Sequence, residues 1–161
     1  MKTLVAYYSR TGNTKKVAEA LAEALNADIE VIISDTKDKG MGRLAMQAFL
    51  RTHAKIEPTT KDAASYDLVV IGSPVWAGKM SSPIRTYLAR NKKKFTNVAF
   101  FCTHGRPDSE GSVKMLESMA ALSGKKTSGM LDVAASDAES GAYAEKVTRF
   151  ATALLESPSS P

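Results

Sequence analysis

The chain has 161 residues, enough for one globular domain with a sizeable core and too few for two. Apolar residues make up 43% and charged residues 24%, an ordinary globular balance, and no apolar run approaches the roughly 20 residues a membrane helix needs. The formal charge of +5 would suit a nucleic-acid binder only if the basic residues clustered, but they are scattered except for Lys92, Lys93 and Lys94 at the end of a predicted helix.

The first apolar segment is only about six residues long, too short for the core of a secretory signal, and Leu4 to Tyr8 within it reads as a buried strand. Four further buried strands are predicted at Ile29 to Ile33, Leu68 to Ile71, Val98 to Cys102 and Met130 to Val133. Helical patterns alternate with them. Val17, Leu21, Ala24 and Leu25 share one helix face, as do Tyr143, Val147, Phe150 and Leu154. Ser82 and Pro83 supply a cap residue and a first-turn proline for a helix carrying Ile84, Tyr87 and Leu88. Another helix is predicted from Ser109 to Ser123, with Gly124 terminating it. The stretch from Asp35 to Pro58 reads as a loop and a helix built on Leu44, Ala48 and Phe49. Residues 1–156 form the expected domain, and 157–161 an expected flexible tail. Such alternation implies right-handed crossovers and a parallel sheet covered on both faces, with ligands bound where strand order reverses at the carboxyl edge.

Three loops leave that edge. Ser9, Arg10, Thr11, Gly12, Asn13 and Thr14 surround a predicted helix amino terminus with hydroxyls, an amide and a turn-permitting glycine, a setting that favours an anion. The glycine-lysine-serine/threonine ending of a nucleotide triphosphatase loop is absent, so a monophosphate ester fits better than ATP. The plain alternative is a capped turn with Thr14 as the cap. The second loop, Gly72 to Ser82, carries Trp76, a flat surface for stacking, and its setting among proline, glycine and serine predicts an exposed edge rather than a core anchor. The third, Thr103 to Ser109, carries His104 and Arg106; a loop histidine bonded to backbone is the plain reading of His104.

Residues Tyr8 to Thr14 resemble the phosphate loop of flavodoxins, and Asp67 to Gly78 resembles that family's second flavin loop. The resemblance runs through essentially the whole chain in element order. It implies an α/β flavodoxin-like three-layer sandwich with a five-stranded parallel sheet of order 2-1-3-4-5, holding one non-covalent FMN. Ser9, Arg10, Thr11, Gly12, Asn13 and Thr14 would then bind the phosphate. Ser73, Pro74, Val75, Trp76, Ala77 and Gly78 would line one side of the flavin, and Thr103, His104, Gly105 and Arg106 the other. His104 and Arg106 stand where acidic carriers often place an aromatic shield and carboxylates, so the flavin potential is expected to be less negative than theirs.

Other motifs carry less. The pattern from Gly40 to Ala45 satisfies a dinucleotide-binding spacing, but it starts too far from the preceding strand for a tight turn. A receiver domain would need an acidic cluster where this chain has Ser9, and an aspartate where it has Gly72 and Ser73. No nucleophile elbow is present, and His53 and His104 are too few for a histidine-rich metal site. Cys102, the single cysteine, excludes a disulfide framework and reads as a small apolar residue. The expected function is therefore electron transfer through the flavin in a reducing cytoplasm, with no protein acid or base and no metal. The alternative is an FMN-dependent NAD(P)H:quinone-type oxidoreductase with a pocket drawn from His104, Arg106, Lys79 and the segment from Gly40 to His53. A redox partner protein or a small-molecule acceptor is expected, without nucleic acid or membrane, for a monomer or weak dimer.

Overall fold

The computed structural model describes residues 1–105 and 110–157, and strand alternates with helix from the first residues onward. β1 (Thr3–Tyr7) leads to α1 (Asn13–Leu25) and β2 (Asp28–Val31). After a 3-10 turn at Asp35–Asp38 come α2 (Met41–Phe49), β3 (Leu68–Trp76) and a two-residue β4 (Lys79–Met80). The chain continues through α3 (Ser82–Asn91), β5 (Asn97–His104), α4 (Glu110–Ser123), β6 (Thr127–Ala134), α5 (Ala135–Ser140) and α6 (Tyr143–Glu156). The tail expected at 157–161 lies, beyond Ser157, outside the described residues.

The main sheet is parallel, in the order β2-β1-β3-β5-β6. This is the expected 2-1-3-4-5 order once the hairpin strand β4, which pairs only with β3, is set aside. Because the chain steps outward from β1 to β2 and then returns to the other side of β1 as β3, the strand order reverses there and a crevice is expected where the connections leave the carboxyl ends of β1 and β3. Alternate strand residues feed opposite cores, as the two-residue pleat requires. Leu4, Ala6, Val69, Ile71, Phe100 and Cys102 pack with α2, α3 and α4 through Leu44, Ile84, Leu88 and Met115. Val5, Tyr7, Val70, Phe101 and Val133 pack with α1 and α6 through Val17, Leu21, Val147 and Leu154. Among the described residues no helix is long and apolar enough to cross a membrane.

Three details differ from expectation. β3 runs on to Trp76 instead of ending at Ile71. Pro74 is tolerated there because pairing with β1 stops at Gly72, so its missing N–H breaks no ladder on that side. The segment read as a second loop is a hairpin, with Val75 opposite Met80 and Trp76 opposite Lys79. The cap of α3 is Ser81, not Ser82, and no side chain caps it; Ser82 and Pro83 are already helical.

The hairpin turn has positive φ at both central residues, 48° at Ala77 and 72° at Gly78, the geometry of a type I′ turn. Alanine is strained there, because its Cβ crowds the following carbonyl. Ala77→Gly is therefore expected to stabilise the protein by about 0.5–1 kcal/mol, the relieved strain exceeding the added chain entropy. A urea midpoint that fell instead of rising would show no strain in this turn.

Candidate functional site

The first wall of the crevice is the turn into α1. Gly12 is the N-cap residue at φ 101°, which only glycine adopts without strain, and its N–H donates to Ser9 Oγ at 3.1 Å. The first backward helical bond runs from Lys16 N–H to Gly12 O at 3.0 Å. No side chain caps the helix and no acidic residue stands in its first turn, so the amides of Asn13 to Lys15 lie ahead of the hydrogen-bonded ladder. The capped-turn reading is thereby corrected: Thr14 is inside the helix, and its hydroxyl bonds Thr103 Oγ1 at 2.7 Å, a buried contact between the first turn of α1 and the end of β5. The Arg10 guanidinium meets the Met41 sulfur at 2.8 Å.

The second wall is the β3–β4 hairpin. Trp76 is only 4% exposed, because pairing with β4 continues the strand and carries the indole onto Tyr8, with ring centroids 5.5 Å apart at 88°. The expected exposed edge is thus replaced by a core position that also borders the crevice. Tyr8 is fixed in turn by a hydroxyl contact of 2.8 Å with Thr36. Ser73 is fully buried, with its Oγ accepting from Ser81 N–H at 3.0 Å.

The third wall is the end of β5 with α4 and β6. His104 is the last residue of the strand rather than a loop residue, and its Nε2 lies 3.3 Å from Asp132 Oδ2. Ser112 of α4 donates to the same carboxylate oxygen at 3.3 Å. Burial, reinforced by the charge of Asp132, pushes the Cys102 thiol up to about 12, so the cysteine is a protonated apolar filler. Among the described residues no group of three His, Cys, Asp or Glu could hold a metal.

Two adjoining cavities open between these walls. The narrower, about 280 Å³, is lined by Arg10, Thr11, Asn13, Thr14, Pro74, Val75, Trp76, Thr103, His104 and Gly105. The wider, about 620 Å³, is lined by Val75, Ala77, Gly78, His104, Gly105 and the first turns of α4. Val75, His104 and Gly105 border both. The three predicted loops therefore converge. Ser9 and Gly12 shape the first turn from behind, Ser73 borders neither cavity, and Arg106 lies outside the described residues. Sequence reasoning missed Asp132, Ser112, Glu110 and Lys114. The signal available for Asp132 was its place one residue from the predicted carboxyl end of a strand, the edge at which ligands bind. Glu110 pairs with Lys114 at 2.8 Å and Asp132 lies against His104, so the described wall carries carboxylates as well as basic side chains.

Fold and crevice define a doubly wound α/β protein with an amide-lined anion cradle opening into a cavity of ring size at its switch point. The chain belongs to the flavodoxin family, whose model, described as Flavodoxin, matches residues 2–147. It is similar to a flavoprotein of Lactobacillus acidophilus solved in complex with FMN, at 27% identity and a TM-score of 0.68, covering 88% of this chain and 97% of that one. The apo form of the flavoprotein from that organism, solved by NMR, gives 28% identity, a TM-score of 0.62 and coverage of 81% and 91%. A WrbA-like flavodoxin of Agrobacterium tumefaciens shares the fold at 18% identity and a TM-score of 0.59, covering 96% and 98%.

Proposed function

We propose that this protein is an FMN-binding redox carrier that transfers electrons through a non-covalently held flavin, in the cytoplasm, to a redox partner protein or small acceptor, as a monomer or weak dimer. The observation that carries the reading is the uncapped start of α1. Its leading amides, the hydroxyls of Thr11 and Thr14 and the Arg10 guanidinium border one cavity with no carboxylate among its described lining residues. Those donors fit a phosphomonoester, and the adjoining 620 Å³ cavity has room for a tricyclic ring.

Arg10, Thr11, Gly12, Asn13 and Thr14 would hold the phosphate, while Val75 to Gly78 on one side and Thr103 to Gly105 on the other would flank the ring. When bound, the flavin supplies the electron chemistry, accepting and returning one or two electrons. The residues orient it, exclude water and set the surrounding charge. His104, whose Nε2 lies 3.3 Å from Asp132 Oδ2, borders both cavities. The size of the wider cavity favours a second reading, an FMN-dependent NAD(P)H:quinone-type oxidoreductase in which a substrate shares the space beside the ring.

Titration of the apo protein with FMN, followed by flavin fluorescence, is expected to give one saturable site. No quenching at any ratio would remove the proposal. With FMN bound, steady-state NAD(P)H oxidation in the presence of a quinone separates the two readings: negligible turnover is expected for the carrier, and sustained turnover would establish the enzyme instead.

A further inference from the structure

The hairpin and α4 have a second side. There, Arg51, Lys79, Arg85, Met115, Ser118 and Leu122 line a cavity of about 280 Å³ with three cations. None of its described lining residues is acidic, and none of the three cations joins an ion pair among the described residues. Arg85 Nε is buried without a hydrogen-bond partner. Burial, and then the facing charge of Arg51, hold the Arg85 guanidinium below its ordinary value. A half-buried arginine is ordinarily matched by a carboxylate, and here it is opposed by another cation.

Arg51 is held there by the closing hydrogen bonds of α2, at the cost of backbone strain. Arg51 N–H bonds Ala48 O and Thr52 N–H bonds Gln47 O, each at 3.0 Å, which closes α2 in the Schellman pattern with Arg51 at φ 54°. That position is normally glycine, since any Cβ is disfavoured in the left-handed region. A side chain kept at such a position against both strain and like charge points to a ligand that repays neither in its absence.

The place of the cavity bears on the site already described. Lys79 follows Gly78 in the hairpin and Met115 follows Lys114 in α4, so the basic pocket and the wider cavity share these two walls.

We propose that the pocket lined by Arg51, Lys79 and Arg85 is an anion site for the phosphate or pyrophosphate group of a small molecule. Planar guanidinium groups match phosphate oxygens in pairs, and a concave lining suits a compact anion better than the face of an acidic protein. The site goes beyond the FMN reading and does not depend on it.

The test is titration of the FMN-loaded protein with inorganic pyrophosphate, followed by amide NMR shifts, with the Ser9 to Thr14 turn already occupied. Saturable shifts are expected at Lys79, Arg85 and Ser118, and Arg51→Gln or Arg85→Gln should each weaken binding by about tenfold or more. Without pyrophosphate, both variants should melt roughly 2–4 °C higher, because repulsion is removed; arginines with a merely structural role would lower the melting temperature. Shifts confined to Ser9 to Thr14, shifts that never saturate, or undiminished binding by the variants would overturn the site. Binding of a polyglutamate peptide without pyrophosphate binding would overturn its small-molecule character. The same titration of apo protein separates the two readings, since shifts at Arg85 in a protein that takes no FMN leave the pocket standing.

Discussion

Trp76→Ala is expected to lower the stability of the apo protein by about 3–5 kcal/mol and also to weaken FMN binding. The indole is nearly buried, packs edge-on against Tyr8, belongs to the core between the sheet and α2 to α4, and borders the narrower cavity. Its loss leaves a void in one core and unseats Tyr8, whose hydroxyl meets Thr36. Urea unfolding without flavin reads the first effect and fluorescence titration the second. An aromatic residue serving only as an exposed stacking surface would change apo stability by no more than about 0.5 kcal/mol, and that result would return Trp76 to the role its neighbours in sequence suggest. Trp76→Phe should lie between, keeping an aromatic face while losing part of the volume.

Gly72→Ala carries the second large effect, a destabilisation of about 3 kcal/mol, at the upper end for an overpacked core. Gly72 pairs with Tyr7 of β1 on one side and Phe101 of β5 on the other, and a methyl built on its Cα would overlap the Phe101 ring. The ring cannot swing away cheaply, because it is fully buried among the residues that face α1 and α6. Thermal melts of the single variant and of Gly72→Ala with Phe101→Leu provide the check. Partial recovery in the double variant is expected, since the smaller side chain vacates the space the methyl takes. A double variant no more stable than the single one would place the strain elsewhere.

Much of this architecture was legible in the residues because its signals are local. Apolar runs of four or five residues, separated by helix-period segments, specify a parallel sheet whatever their distant partners, and the hydroxyl-rich turn at Ser9 to Thr14 announces an anion cradle through chemistry contained in six neighbours. The hairpin was not legible: a strand of two residues has no period, and proline, glycine and serine around it read as loop. The burial of Trp76 depends on Tyr8, far away in the chain, so composition around the tryptophan pointed the wrong way. The same limit hid the join of His104 to Asp132, made between neighbouring strands, and the facing of Arg51 and Arg85, made between the turn that closes α2 and helix α3. Arg106, the remaining residue of the third loop assigned to the flavin, lies outside the described residues.

The 2.7 Å link between the Thr14 and Thr103 hydroxyls joins two segments that the sheet itself leaves independent, since β3 lies between β1 and β5. It acts as a buried bolt between the two banks of the crevice, fixing their spacing before anything enters. A guest then meets banks already at their working separation, and less of its binding energy is spent on ordering the host.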